Sequence, residues 1–299
     1  MVKAGAGVLW VDGELVPAGE ARVDPRDRGY ALGDGLFETM RAREGRLPWL
    51  ECHLARLRGG AVVIGLSAIP DDGVLAGAIY ETLEANGLSE AVVRLTVSRG
   101  VPARRSLLPE PGPTPTLVIG VQPFVGYPPS LYDRGMRAIT SRIPRNERSP
   151  LARIKALSYL ENVLARREAD AGGADEALLL NTAGRLACAS AANLFLALDG
   201  ALLTPDPGSG VLPGTVRELV LAELAPRMGL TVAERAVRPE ELAAAEEAFL
   251  TSALLGIMPL TGVNGFPVGT GEPGPVSSGL SVELEKAWSG RLERGKGVP

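Results

Sequence analysis

Arg153-Ile154-Lys155-Ala156-Leu157-Ser158-Tyr159-Leu160-Glu161-Asn162 carries one of only four lysines in a 299-residue chain whose lysines and arginines total 31. The others, Lys3, Lys286 and Lys296, sit near the chain ends. A composition that so prefers arginine keeps a lysine inside an apolar stretch, and the two cations are not equivalent. Arginine stays charged in a protein, whereas a desolvated lysine becomes a neutral, nucleophilic amine. Lys155 is therefore the leading candidate for Schiff-base chemistry with a carbonyl cofactor such as pyridoxal phosphate. The plainer reading, a surviving surface lysine, stays open at this point.

The length suits two domains or one large α/β unit. A formal charge of −4 gives no general attraction to nucleic acid or to an anionic membrane. No apolar run approaches the ~18 residues of a membrane span, and Met1 to Val11 lacks the basic start and long apolar stretch of a signal peptide. Cys52 and Cys188 make no metal-type or redox-type spacing and read as reduced thiols of a cytoplasmic enzyme. His53 is the only histidine, so neither a Ser-His-Asp triad nor a multi-histidine site can be built, and no metal is expected.

Working outward from Lys155, a helix is expected over Leu157 to Ala171, then strands at Glu176–Asn181, Leu186–Ala189, Asn193–Leu198 and Ala201–Thr204. Further elements are a helix at Thr215–Met228, a strand at Thr231–Ala236, a short helix at Pro239–Ala245, a strand at Ala248–Thr251 and a closing helix at Ser278–Leu292. The last residues are expected to fray. Toward the N-terminus, Asp12-Gly13 between short apolar runs signals a hairpin. Glu44-Gly45 marks a second turn, Glu51 to Gly59 starts a helix, Asp71 to Asn86 is helical, and Ala91–Ser98 and Thr116–Val121 are strands. Pro123, Gly126, Pro128 and Pro129 mark a linker. These elements indicate α+β with a small N-terminal domain (1–122), a linker (123–135) and a larger C-terminal domain (136–299) holding Lys155.

A pyridoxal phosphate site also needs a phosphate cradle, which backbone N–H groups at a helix start supply. Leu212-Pro213-Gly214-Thr215-Val216-Arg217 has that form, and Thr251-Ser252-Ala253 is a second hydroxyl-bearing turn. The order of motifs, from about residue 8 to about residue 268, resembles the fold type IV pyridoxal phosphate enzymes. These are the branched-chain aminotransferases, D-amino acid aminotransferases and aminodeoxychorismate lyases. The resemblance rests on Asp27-Arg28-Gly29-Tyr30-Ala31-Leu32-Gly33-Asp34-Gly35-Leu36-Phe37-Glu38-Thr39 and His53-Leu54-Ala55-Arg56-Leu57. It rests also on Ala191-Ala192-Asn193-Leu194-Phe195, Thr204-Pro205, Leu212-Pro213-Gly214 and Met258-Pro259-Leu260.

The resemblance implies that Lys155 is the Schiff-base lysine and that Arg56, the backbone of Thr215 and Val216, and Thr251 or Ser252 cradle the phosphate. It places Tyr159 near the cofactor's phenolic oxygen, although a helix tyrosine packed in the core is an equal reading, and sets Asn193 among the cofactor-binding residues. It implies two domains, the D-amino acid aminotransferase-like fold, a small-molecule amino substrate and at least a homodimer. Tyr30, Arg99, Arg104 and Arg105 are candidates for binding substrate, the arginines because their planar fork suits a carboxylate.

One position departs from the family. A glutamate normally stands five residues before the asparagine and keeps the pyridine nitrogen protonated; here the slot holds Cys188. A thiol, with a reference pKa of about 8.5, is a far weaker anion source, and an apolar site opposes its ionisation. Transamination should suffer more than an elimination. The motifs around Lys155, Ala174-Asp175-Glu176, Ala191-Ala192 and Met258-Pro259 lean toward the lyase, so the expected activity is conversion of aminodeoxychorismate to 4-aminobenzoate and pyruvate. An aminotransferase acting on D- or branched-chain amino acids is the first alternative. A pyridoxal phosphate fold with weakened or lost activity is the second.

Overall fold

The computed structural model describes residues 7–109 and 114–294; Lys3, Lys296 and the expected fraying of the last residues lie outside them. The chain divides into two compact units, one reaching Val125 and including Ile154–Ser158, the other comprising Gly126–Arg153 and the chain from Tyr159 onward.

In the first unit, β1 (Val8–Val11) and β2 (Glu14–Pro17) form the expected hairpin. Asp12 and Gly13 both adopt positive φ, 49° and 109°, as a two-residue turn that follows strand twist demands. A short helix not foreseen from sequence, α1 (Arg28–Leu32), is capped by the Asp27 side chain and ends at Gly33 in the left-handed region. Then come β3 (Gly35–Ala42), α2 (Leu50–Ile64), α3 (Asp72–Ala85), β4 (Ala91–Ser98) and β5 (Thr116–Pro123). The strands pair antiparallel in the order β2-β1-β5-β4-β3. Inward residues of the strands (Leu36, Met40, Val93, Leu95, Val97, Ile119) pack with Leu54, Leu57, Leu75 and Ile79 of α2 and α3. Truncating one such leucine to alanine costs about 2–5 kcal/mol.

The Lys155 segment completes this unit at the free edge of β3. Phe37 N–H donates to the Lys155 carbonyl at 2.9 Å, and Leu157 N–H donates to the Gly35 carbonyl at 3.0 Å. Extended backbone alternates its side chains, so Ile154 and Ala156 enter the core while Lys155 projects from the opposite face beside Phe37. Close approach requires glycine at 35: a Cβ there would lie 2.5 Å from the Val97 carbonyl oxygen and 2.7 Å from Leu157 Cδ1. Sequence reading assigns Lys155 to the 136–299 domain; these backbone bonds place it instead in the first unit.

The second unit opens with α4 (Pro129–Arg134), a helical turn inside the stretch expected to be a linker. It continues through β6 (Met136–Thr140), α5 (Leu160–Ala171), β7 (Glu176–Leu180), β8 (Leu186–Ala189), β9 (Asn193–Leu198), β10 (Ala201–Pro205) and α6 (Thr215–Leu219). After a π turn (Val220–Leu224) come α7 (Ala225–Arg227), β11 (Thr231–Arg235), α8 (Pro239–Ala244), β12 (Glu247–Ser252), β13 (Gly256–Val263), β14 (Phe266–Pro267) and α9 (Pro275–Arg294). The sheet runs β11-β10-β9-β12-β13-β6-β7-β8, with β14 on β13. Its pairs β10/β11, β13/β6 and β6/β7 are parallel and the rest antiparallel.

Three differences from the sequence reading have physical causes. Helix α5 starts at Leu160 rather than Leu157, because Leu157 is bonded to β3. The expected helix Thr215–Met228 is unevenly wound, since Pro226 lacks an N–H and crowds the preceding turn. Strand β13 hides behind Pro259, which pairs with Phe249, and a register shift between Leu260 and Gly262 follows it.

Candidate active site

The candidate residues fall into one set in each unit. In the first, Lys155 Nζ lies 4.4 Å from the Phe37 ring centroid, and the Arg94 guanidinium stacks on the same ring at 3.4 Å. Arg94 Nη1 also donates to Thr39 Oγ1 at 3.3 Å across the β3/β4 pair. Burial, then the charge of Arg56, lowers the Lys155 amine from 10.5 to about 8, with Glu38 pulling the other way. Near pH 8 the amine is thus about half neutral.

Arg56 is held by Glu38: Nε donates to Oε1 at 2.8 Å and Nη2 to Oε2 at 2.6 Å. Burial alone would raise the Glu38 carboxyl, but hydrogen bonds from Arg56 and His53 keep it at about 2. Glu38, Phe37 and Arg94 were not foreseen as part of this set. The signal was present in the register of β3, where Glu38 shares the core face with Leu36 and Met40.

The expected substrate-binding arginines divide. Arg99 is buried, with Nε on Asp34 at 2.8 Å, Nη1 on the Gly65 carbonyl at 2.9 Å and Nη2 on the Ile64 carbonyl at 2.5 Å. Three of its five N–H donors are thus taken by the end of α2 and by Asp34. Arg28 shares Asp34 at 2.8 Å and holds the carbonyls of Ser106 and Leu107 at 2.6 and 2.9 Å. It thereby fixes the loop that carries Arg104 and Arg105, both exposed; Tyr30 is also exposed.

In the second unit the strand ends gather the other set. Asn193 pairs with Thr251 across β9 and β12, and the Asn193 amide donates to the Leu212 carbonyl at 2.9 Å. A Cβ on Gly214 would fall 2.0 Å from Asn193 Oδ1, so the glycine lets the loop reach the strand just before α6, where Thr215 and Val216 stand. Asn193 accordingly supports the turn that leads into α6. Ser252 Oγ accepts from Leu255 N–H at 3.1 Å and shapes the hairpin after β12. Tyr159, at the start of α5, donates to the Ser190 carbonyl at 3.4 Å. Cys188 lies on β8 opposite Leu179, buried. Burial pushes its thiol up, Arg145 draws it down and Glu176 pushes it up again, so the sulfur is a neutral S–H at pH 7.

Two features fit a phosphorylated aldehyde. Lys155 has the depressed amine that such a carbonyl needs, and the charge of Arg56 helps to depress it. Thr251 Oγ1 is buried and finds no hydrogen-bond partner among the described residues, and a phosphate oxygen would supply one. One feature does not fit a protonated pyridine ring: the slot expected to hold an anion holds a neutral thiol. Among the described residues no group of three His, Cys, Asp or Glu side chains could hold a metal, and no helix is long and apolar enough to cross a membrane.

Residues 35–263 match the amino-transferase class IV family. A putative branched-chain-amino-acid aminotransferase of Methanocaldococcus jannaschii is 32% identical, over 93% of this chain and 95% of that one. The branched-chain aminotransferase of Thermoproteus uzoniensis, solved with norvaline, superposes with a TM-score of 0.87 at 30% identity, covering 94% of this chain and 94% of that one. The 4-amino-4-deoxychorismate lyase of Pseudomonas aeruginosa superposes with a TM-score of 0.81 at 33% identity, covering 93% and 98%.

Proposed function

The chain belongs to the amino-transferase class IV family of pyridoxal phosphate enzymes, and from that premise we propose that it is a lyase converting 4-amino-4-deoxychorismate to 4-aminobenzoate and pyruvate. The observation that carries the choice is Cys188, a buried neutral thiol in the slot where the family has a carboxylate. Bound pyridoxal phosphate would supply an aldehyde for the substrate amine and a ring that takes up negative charge from the carbon bearing it.

Lys155, with its amine near pH 8, is the group suited to take the proton from that carbon. Arg56, pinned by Glu38, would hold the phosphate, with Thr251, Ser252 and the backbone of Thr215 and Val216 as its proposed partners. Tyr159 and Cys188 are proposed for the ring, and Arg104, Arg105 and Tyr30 for the substrate. A thiol cannot hold a proton on the ring nitrogen by charge, so the uptake of negative charge is weaker. Elimination tolerates that loss, because pyruvate departs as the ring proton leaves and the product is aromatic. The assembly we propose is a homodimer, placed in the cytoplasm, where both cysteines stay reduced.

The test is a product assay on the loaded enzyme with aminodeoxychorismate. Stoichiometric pyruvate and 4-aminobenzoate support the lyase; no product from aminodeoxychorismate removes it. An aminotransferase is the second reading, favoured by the identity with the Methanocaldococcus relative, and its sign is oxo acid formed from an amino acid.

A further inference from the structure

His53, the chain's one histidine, is 4% exposed on α2, and Glu38 of β3 is 0% exposed. Their contact, Nδ1 to Oε2 at 2.8 Å, makes His53 the third donor to a carboxylate that already accepts twice from Arg56. His53 and Arg56 stand three residues apart and so share one helix face. They lie on the elements, β3 and α2, that bury Leu36, Met40, Leu54 and Leu57 in the core, and a carboxylate buried there must be saturated with donors. An ionised acceptor assigns the shared proton to Nδ1. Glu38 from β3, Arg56 from α2 and Lys155 from the 154–158 segment are the charged groups that act on the imidazole. Burial, aided by the two cations, keeps it neutral against the pull of Glu38. A neutral donor steadies Glu38 without adding a cation to a cluster that already holds Arg56 and Lys155.

We propose that His53 is a positioning residue: by anchoring Glu38 it fixes the Arg56 guanidinium for an incoming phosphate and sets the field at the Lys155 amine. The inference rests on the reading of Arg56 as phosphate holder and Lys155 as reactive amine.

The test compares apoprotein of the parent chain with His53→Leu, His53→Gln, Leu54→Ala and Arg56→Ala. Each is titrated with pyridoxal phosphate and with pyridoxal, which lacks the phosphate, and each is melted. His53→Leu is expected to weaken pyridoxal phosphate about tenfold and pyridoxal far less, and to shift the pH midpoint of the reaction of Lys155 with pyridoxal. His53→Gln, whose amide can also donate to Glu38, is expected to recover affinity to within about threefold. Leu54→Ala is expected to lower the Tm and leave both affinities in place, which separates positioning from mere destabilisation. If Arg56→Ala binds pyridoxal phosphate as the parent does, the phosphate reading fails and the proposal falls with it. If Arg56→Ala is weakened but His53→Leu is not, the proposal alone is overturned. The parent chain gives an arm that needs no variant to fold. Nitrogen-15 NMR of its single imidazole should show the neutral Nδ1–H tautomer and a shift on adding inorganic phosphate. An unmoved signal at saturating phosphate overturns the proposal.

Discussion

The amine of Lys155 and the ring of Phe37 are 4.4 Å apart, and Arg94 lies on that same ring at 3.4 Å. One aromatic ring thus serves two cations, which offsets part of the cost of removing the lysine from water. The cost itself stays large, and that is what makes the amine chemically useful and the fold measurably poorer for it.

A stability prediction follows from the amine's drop from 10.5 to about 8. Between those values the unfolded chain holds a proton that the folded chain has released, so stability rises with pH across that window. Below about pH 8 both states are protonated, and the buried ammonium costs the fold about 3 kcal/mol. Lys155→Met should therefore raise the apoprotein's Tm at pH 7 and lose the advantage by pH ~10.5. A Tm lowered equally at both values would show that the ammonium carries no such cost.

Glu38 behaves in the opposite sense. Its carboxyl sits at about 2, below its ordinary 4.5, so its contribution is present above pH 4.5 and lost as pH falls toward 2. Glu38→Gln keeps the shape but leaves Arg56 buried without its anion, at a cost of about 3 kcal/mol. The same variant removes the charge that pulls the Lys155 amine upward, so the midpoint of its reaction with pyridoxal should move to lower pH. Urea unfolding and that pH profile check the two halves separately.

Cys188→Glu restores an anion to the slot. In the loaded enzyme it is expected to speed conversion of cofactor to the pyridoxamine form by an amino acid about tenfold or more, read as the change in the cofactor absorbance band. No gain, in a variant that still binds cofactor, would mean that Cys188 does not face the ring.

Arg99 and Arg104 should separate cleanly. Arg99→Lys cannot reproduce a fork that reaches Asp34, Ile64 and Gly65 together, so it should lower the Tm sharply. Arg104→Ala, on an exposed loop, should leave the Tm within a degree or two and raise KM for a carboxylate substrate. The reverse pattern would make Arg99 the substrate ligand.

Much of this was legible in the sequence, because the signals were local. Asp12-Gly13 names its own turn, β4 follows alternation, the bounds of β8 and β9 follow short apolar runs between turns, and Lys155 stands out where arginine is the rule. What was not legible depends on packing between distant segments. The register of β3 puts Glu38 on the core face with Leu36 and Met40, but its partners His53 and Arg56 come from α2 and show only once that helix is laid over the strand. Arg99 reads as a free fork until the end of α2 presents the carbonyls of Ile64 and Gly65. The edge position of Ile154–Ser158 could not be seen at all, since it rests on the Gly35 and Phe37 backbone more than a hundred residues earlier. Pro259 concealed β13, because a proline argues against a strand interior.

The central claim is that Lys155 is the amine that bonds the cofactor. The most direct measurement loads the protein with pyridoxal phosphate, reduces it with borohydride, digests it and locates the phosphopyridoxyl group by mass spectrometry. The account predicts one adduct, on the peptide containing Lys155, and none on that peptide in Lys155→Ala. An adduct on Lys286 or on another lysine in place of Lys155, or a protein that takes up no cofactor, would contradict it.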